Sequence, residues 1–189
     1  MFKTILLALG LAVSVSANAN TLTTLMTDLN KVVVNNQETQ SGFSWAVGDT
    51  ANYKLSIGGF INGTMVMTIK SVAADAVVIG QDMDLGFMGK QSCDMTINPN
   101  TGETKSMVCN GQAQDPNAGG PVEVIETKED TVTVPAGTFT CLYIKAKQGE
   151  NQIEQWANPK LIPVAGMVKA IAASQMGPVN IELTSFKKM

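Results

Sequence analysis

From Gln40-Ser41-Gly42 onward, apolar and polar residues alternate with a period of two. Tyr53, Leu55 and Ile57 are separated by Lys54 and Ser56, and Met65, Met67 and Ile69 by Val66 and Thr68. A period of two places alternate side chains on opposite faces of a strand. Short segments of this kind recur around Ala76–Ile79, Cys93–Ile97, Lys105–Cys109, Val122–Ile125, Thr131–Val134, Thr138–Lys147, Gln152–Trp156, Gly166–Ala173 and Val179–Phe186. Gly-Gly, Asn-Gly, Asn-Pro, Thr-Gly and Met-Gly-Pro stops separate them. The spacing predicts about ten to twelve short strands and a mainly β fold: one large curved antiparallel sheet, or an unclosed β-barrel. Gly111 to Pro121, rich in Gln, Asn, Gly and Pro, reads as a long surface loop.

Before Gln40 the period is different. Leu22, Leu25, Met26, Leu29, Val32 and Val33 recur at helical spacing, which predicts one amphipathic helix over residues 21–36 that covers the sheet. Further upstream, Lys3 precedes the apolar run Ile5–Val13 and the A-x-A string Ala17-Asn18-Ala19. This is the pattern of a secretory signal peptide over 1–19, cleaved after Ala19, with a periplasmic or secreted product. The run is too short to span a bilayer, and no later segment is long and apolar enough, so no membrane-spanning segment is expected. Residues 20–189 are then 170 residues, a size that suits a single β-rich domain.

Composition narrows the chemistry. All 13 basic residues are Lys, and there is neither Arg nor His. No His means no Ser-His-Asp or Cys-His pair and no HExxH zinc site. No Arg, with a net charge of −3, argues against nucleic acid, which demands counter-charge. Asp82-Met83-Asp84-Leu85-Gly86 reads as a solvated turn, since the rest of a calcium loop is missing. The stretch from Glu123 to Asp130 reads as a polar strand end, and Met65-x-Met67 as inner-face packing. No catalytic residue, metal site or cofactor is assigned, and the protein is not expected to be an enzyme.

Three cysteines remain. Cys93 and Cys109 flank the turn-rich Asn98–Glu103, and pairing the two strands symmetrically about Thr101 sets them opposite each other. An exported chain permits a disulfide there; in another register Cys141 would take one of the two.

The string Val134-Pro135-Ala136-Gly137-Thr138-Phe139-Thr140-Cys141, then a strand ending in Trp156, then Pro163-Val164-Ala165-Gly166-Met167-Val168-Lys169 is the most distinctive part of the chain. With Trp45-Ala46-Val47-Gly48-Asp49 followed by Tyr53, it resembles exported bacterial proteins of the DUF3108-like group, related in shape to the LolA/LolB lipoprotein-carrier fold. The resemblance spans residues 43–186 and is best over 132–169. It implies an unclosed antiparallel barrel with a helix and loops over a concave apolar face. The chain departs from the carriers in having no Arg to hold a lid and no acylated Cys.

The reading that follows is a non-catalytic binding protein that holds a lipid, an acyl chain or a hydrophobic partner segment against the concave face. Tyr53, Leu55, Met65, Met67, Ile69, Met95 and Trp156 are the candidate lining residues. Adaptable Met thioethers suit such a surface. The alternative is a structural or assembly partner of the cell envelope, docking through a sheet edge or the loop over 111–121.

Overall fold

A computed structural model describes residues 44–116, 122–148, 151–174 and 176–189. The signal peptide, the helix over 21–36 and part of the loop over 111–121 lie outside the described residues.

The alternating segments form eleven strands of one antiparallel sheet: β1 (Thr50–Ile57), β2 (Ile61–Ala73), β3 (Ala76–Asp84), β4 (Lys90–Ile97), β5 (Thr104–Cys109), β6 (Gln112–Gln114), β7 (Val122–Val134), β8 (Gly137–Gln148), β9 (Asn151–Ala157), β10 (Met167–Ala172) and β11 (Val179–Lys187). Their spatial order is β6-β5-β4-β3-β2-β1-β11-β10-β9-β8-β7. Each connected pair is a neighbour, except that β1 pairs with β11 and the sheet edges fall at β6 and β7.

This order forces the sheet to roll. Laid flat, eleven strands would set β6 and β7 about 48 Å apart. The seven residues between Gln114 and Val122 can span at most about 28 Å. The β7–β8 hairpin shows the curl directly. Its turn residue Ala136 donates its N–H to the carbonyl of Leu183 on β11 at 3.1 Å, and Phe139 meets Phe186 edge-on at 6.5 Å.

Period-two alternation gives the rolled sheet an apolar inside. Ala51, Tyr53, Leu55 and Ile57 of β1 are at most 5% exposed, and the inward residues of β2 to β4 continue that surface. Cys93 and Cys109 stand opposite each other on β4 and β5 and are joined as a disulfide, with Cα atoms 4.1 Å apart.

The outside carries a belt. Register places Lys90, Asp84, Thr64, Lys54, Glu182, Lys169, Trp156, Tyr143 and Lys128 side by side, one residue from each of nine strands. Glu182 accepts from Lys54 at 2.8 Å and Lys169 at 3.1 Å. Lys169 lies over the Trp156 ring, Trp156 packs on Tyr143 at 4.9 Å, and Lys128 lies over Tyr143. Cross-strand pairs of this kind each contribute about 0.2–1 kcal/mol.

Two outcomes test this account. The disulfide closes a loop of sequence separation 16, for which chain entropy gives roughly 3 kcal/mol. Cys93→Ala/Cys109→Ala should lower unfolding stability by about that amount while the far-UV spectrum stays β-rich; an unchanged denaturation midpoint would contradict it. The two lysines hold the Glu182 carboxyl below its usual range, Lys54 contributing most. A depressed carboxylate stabilises the fold above the unfolded pKa of about 4.3, and that contribution is lost as pH falls through the folded value. Urea midpoints should therefore drop less on acidification in Glu182→Gln than in the wild type.

Candidate functional site: the concave face and the loop that fills it

Six of the seven candidate lining residues share one surface. Tyr53 faces Met65 across β1 and β2, Met65 faces Met83, and Ala51 faces Met67. Ile69, Ile79, Met95 and Met107 form a row across β2 to β5. Leu55 sits beside Ile181 of β11. Met65, Met67, Met83, Met95 and Met107 are each 0–2% exposed, as are Tyr53, Leu55 and Ile69. Burial pushes the Tyr53 hydroxyl pKa well above its ordinary value, so it stays protonated and donates to the Met167 carbonyl at 3.1 Å.

Trp156 is not brought together with these six. On β9 the inward residues are Ile153, Gln155 and Ala157, so Trp156 projects to the outer belt. There its indole N–H donates to Asp130 Oδ2 at 2.8 Å. Strand parity with Ile153 and Ala157 is the signal that places it outside.

Parity also places a polar residue inside. Gln155 is 2% exposed, between Ala170 of β10 and Ile144 of β8. Its Oε1 is buried without a hydrogen-bond partner among the described residues. A buried apolar surface carrying such a polar group has the composition of a small-molecule site, where few polar groups orient a mostly apolar ligand.

The face is covered by the β9–β10 connection, residues 158–166. It contains no strand or helix, yet Pro159, Ile162, Pro163, Val164, Ala165 and Gly166 are buried. Loops ordinarily lie on the surface. This one satisfies its own backbone. Asn158 donates its N–H to Gly166 at 2.7 Å, pinching the base, and Ile162 donates back to Asn158 at 2.9 Å. Such closure is that of an Ω-loop. Gly166 has φ +69°, and a Cβ there would lie 2.8 Å from Pro159 Cα, so the base needs glycine. Val164 has φ +67°, a conformation that costs a β-branched residue roughly 1–3 kcal/mol. Its carbonyl accepts the Trp45 indole N–H at 2.8 Å.

Cys141 is buried beside the loop, among the residues of a small half-polar cavity of about 170 Å³ that includes Glu129, Thr140, Asn158 and Lys160. Burial, with Asp130 nearby, pushes its thiol up to about 12. It is a protonated packing group at neutral pH. Among the described residues, no cluster of three or more His, Cys, Asp or Glu is placed to hold a metal, and no helix is long and apolar enough to cross a membrane.

No family model and no curated protein sequence matches the chain. Solved structures share its general course at low identity. A Bacteroides fragilis protein assigned as exported, with a YmcC-like fold, aligns at 12% identity over 77% of this chain and 98% of its own, with a TM-score of 0.46. A Parabacteroides distasonis protein assigned as a lipoprotein aligns at 13% identity over 77% and 97%, with a TM-score of 0.47. A hypothetical protein of Chlamydia trachomatis aligns at 14% over 75% and 87%, with a TM-score of 0.44.

The orphaned amide yields a test by itself. Replacing a buried unsatisfied polar group with an apolar one of similar size removes a desolvation cost of about 1–3 kcal/mol. Gln155→Leu should raise the melting temperature, and a lower one would show that the amide has a partner.

Proposed function

We propose that the protein is a non-catalytic exported binding protein that holds an acyl chain or a comparable lipid segment on the inner face of its rolled sheet. The observation that carries this reading is the continuous apolar surface of Tyr53, Leu55, Ile69 and five methionines, with the buried amide oxygen of Gln155 in the same core. Unbranched thioether chains fit varied apolar shapes, and Gln155 supplies the hydrogen-bonding group that would orient a polar end. The leader pattern of residues 1–19 and the Cys93–Cys109 disulfide support export to an oxidising compartment. With neither His nor Arg in the chain, affinity through apolar surface is the mechanism its composition favours.

A second reading has its own observation. Phe60, 66% exposed, and Phe87, 86% exposed, lie in the β1–β2 and β3–β4 turns, which are neighbours on one rim of the sheet. Two exposed aromatics on one rim favour a contact with an envelope protein.

The two readings separate by experiment. Protein purified from a bacterial periplasm should carry acyl ligands in native mass spectrometry and solvent extracts, and the delipidated protein should bind the fluorescent fatty acid cis-parinaric acid. A stoichiometric protein partner, lost in Phe60→Ser/Phe87→Ser with no lipid bound to either form, would instead favour assembly.

A further inference from the structure

A face packed to 0–2% exposure admits a ligand only if something leaves it. Among the described residues, the strands are tied into the ladder on at least one side, and removing one would break the sheet. The loop over 158–166 is different. Its backbone bonds run mostly within itself: Asn158 to Gly166, Leu161 and Ile162 to Asn158, and Gly166 to Pro163. Beyond its base, bonds that tie it to the rest of the described residues are Trp45 to Val164 and Lys188 Nζ to the Lys160 carbonyl, the latter at 3.3 Å. Asn158, at the pinched base, donates its side-chain N–H to Thr140 on β8 and would stay in place as a pivot. Among the described residues, the loop can thus swing out as a body for the loss of these two hydrogen bonds and the burial of Ile162, Val164 and Ala165. Strain at Val164 offsets part of that burial. Ile162, Val164 and Ala165 belong to the same core cluster as Tyr53, Leu55 and Met65.

We propose that the Asn158–Gly166 loop is a removable plug: an acyl chain enters the concave face by taking the place of Ile162, Val164 and Ala165, and Trp45 is the latch that sets how often the plug opens. This rests on the binding reading above. Trp45 acts as a positioning residue, because its indole holds the plug through the Val164 carbonyl. The apparent dissociation constant of a ligand for such a protein is its intrinsic value divided by the open fraction. Loosening the plug therefore tightens binding.

The test uses the full mature chain in four forms: wild type, Ile162→Ala, Trp45→Phe, and Val77→Ala as a core truncation of β3 outside the plug. Native-state hydrogen exchange should show the Trp45 indole N–H, whose bond to Val164 the swing breaks, opening locally, well before the amides of β2 and β3, and faster still in Ile162→Ala. Cis-parinaric acid should bind Ile162→Ala and Trp45→Phe more tightly than wild type, by about tenfold for the former, and Val77→Ala no more tightly. The proposal is overturned if the Trp45 indole N–H exchanges only with the whole sheet, whatever binds. It is also overturned if the probe binds all four forms equally, an outcome that leaves the binding reading intact. Local opening with no probe bound by any form overturns the binding reading, and the plug's gating role with it.

Discussion

The pairing of β1 with β11 is the interaction on which the rest depends. It joins the first and last described strands of the chain, so its loop-closure cost is the largest in the sheet. One buried carboxylate secures the joint. Asp49, fully buried, accepts the Ala46 N–H at 3.0 Å and the Met189 N–H at 2.8 Å. Its own carbonyl accepts the Ile69 N–H, and Gly48 donates to Ile69 in return, so β2 is bound to the same point. A carboxyl group so buried is tolerable because two backbone N–H groups donate to it. The Trp45–Asp49 string is therefore a knot where both ends of the described chain meet the sheet.

Joining the ends in the middle sends the free edges to β6 and β7, and a seven-residue link then obliges the sheet to curl. Curling creates an inside, and the alternating pattern makes that inside apolar. The belt from Lys90 to Lys128 does the complementary work outside, where pairing charges and rings across strands costs little desolvation. The edge strand β7 is charged and carries a bulge between Val124 and Glu126, features that discourage pairing with another chain.

Gln155 and Val164 are two departures from local rules in the core. One is a buried amide oxygen without a partner and the other a β-branched residue in the left-handed region. Both lie on or beside the β9–β10 connection, at the same part of the apolar face. Departures of this kind are found where function requires them.

Much of this was legible in the chain itself. Period two marked the strands and set Tyr53, Leu55, Met65, Met67, Ile69 and Met95 on one face, because a pleated strand leaves no other choice. The turn at Asn98–Glu103 set the β4–β5 register, and with it the Cys93–Cys109 bond. Trp156 falls on the other face because its parity is opposite to that of Ile153 and Ala157. The loop over 158–166 resembled an ordinary surface connection, since Pro and Gly mark a turn but say nothing about which side of a sheet it lies on. Its burial follows only once β1 and β11 pair and the sheet rolls. Local alternation thus determined the strands and their two faces. The tertiary structure alone decided that those faces become a filled interior and a belted exterior, because long-range pairing and curvature depend on contacts between residues more than a hundred positions apart.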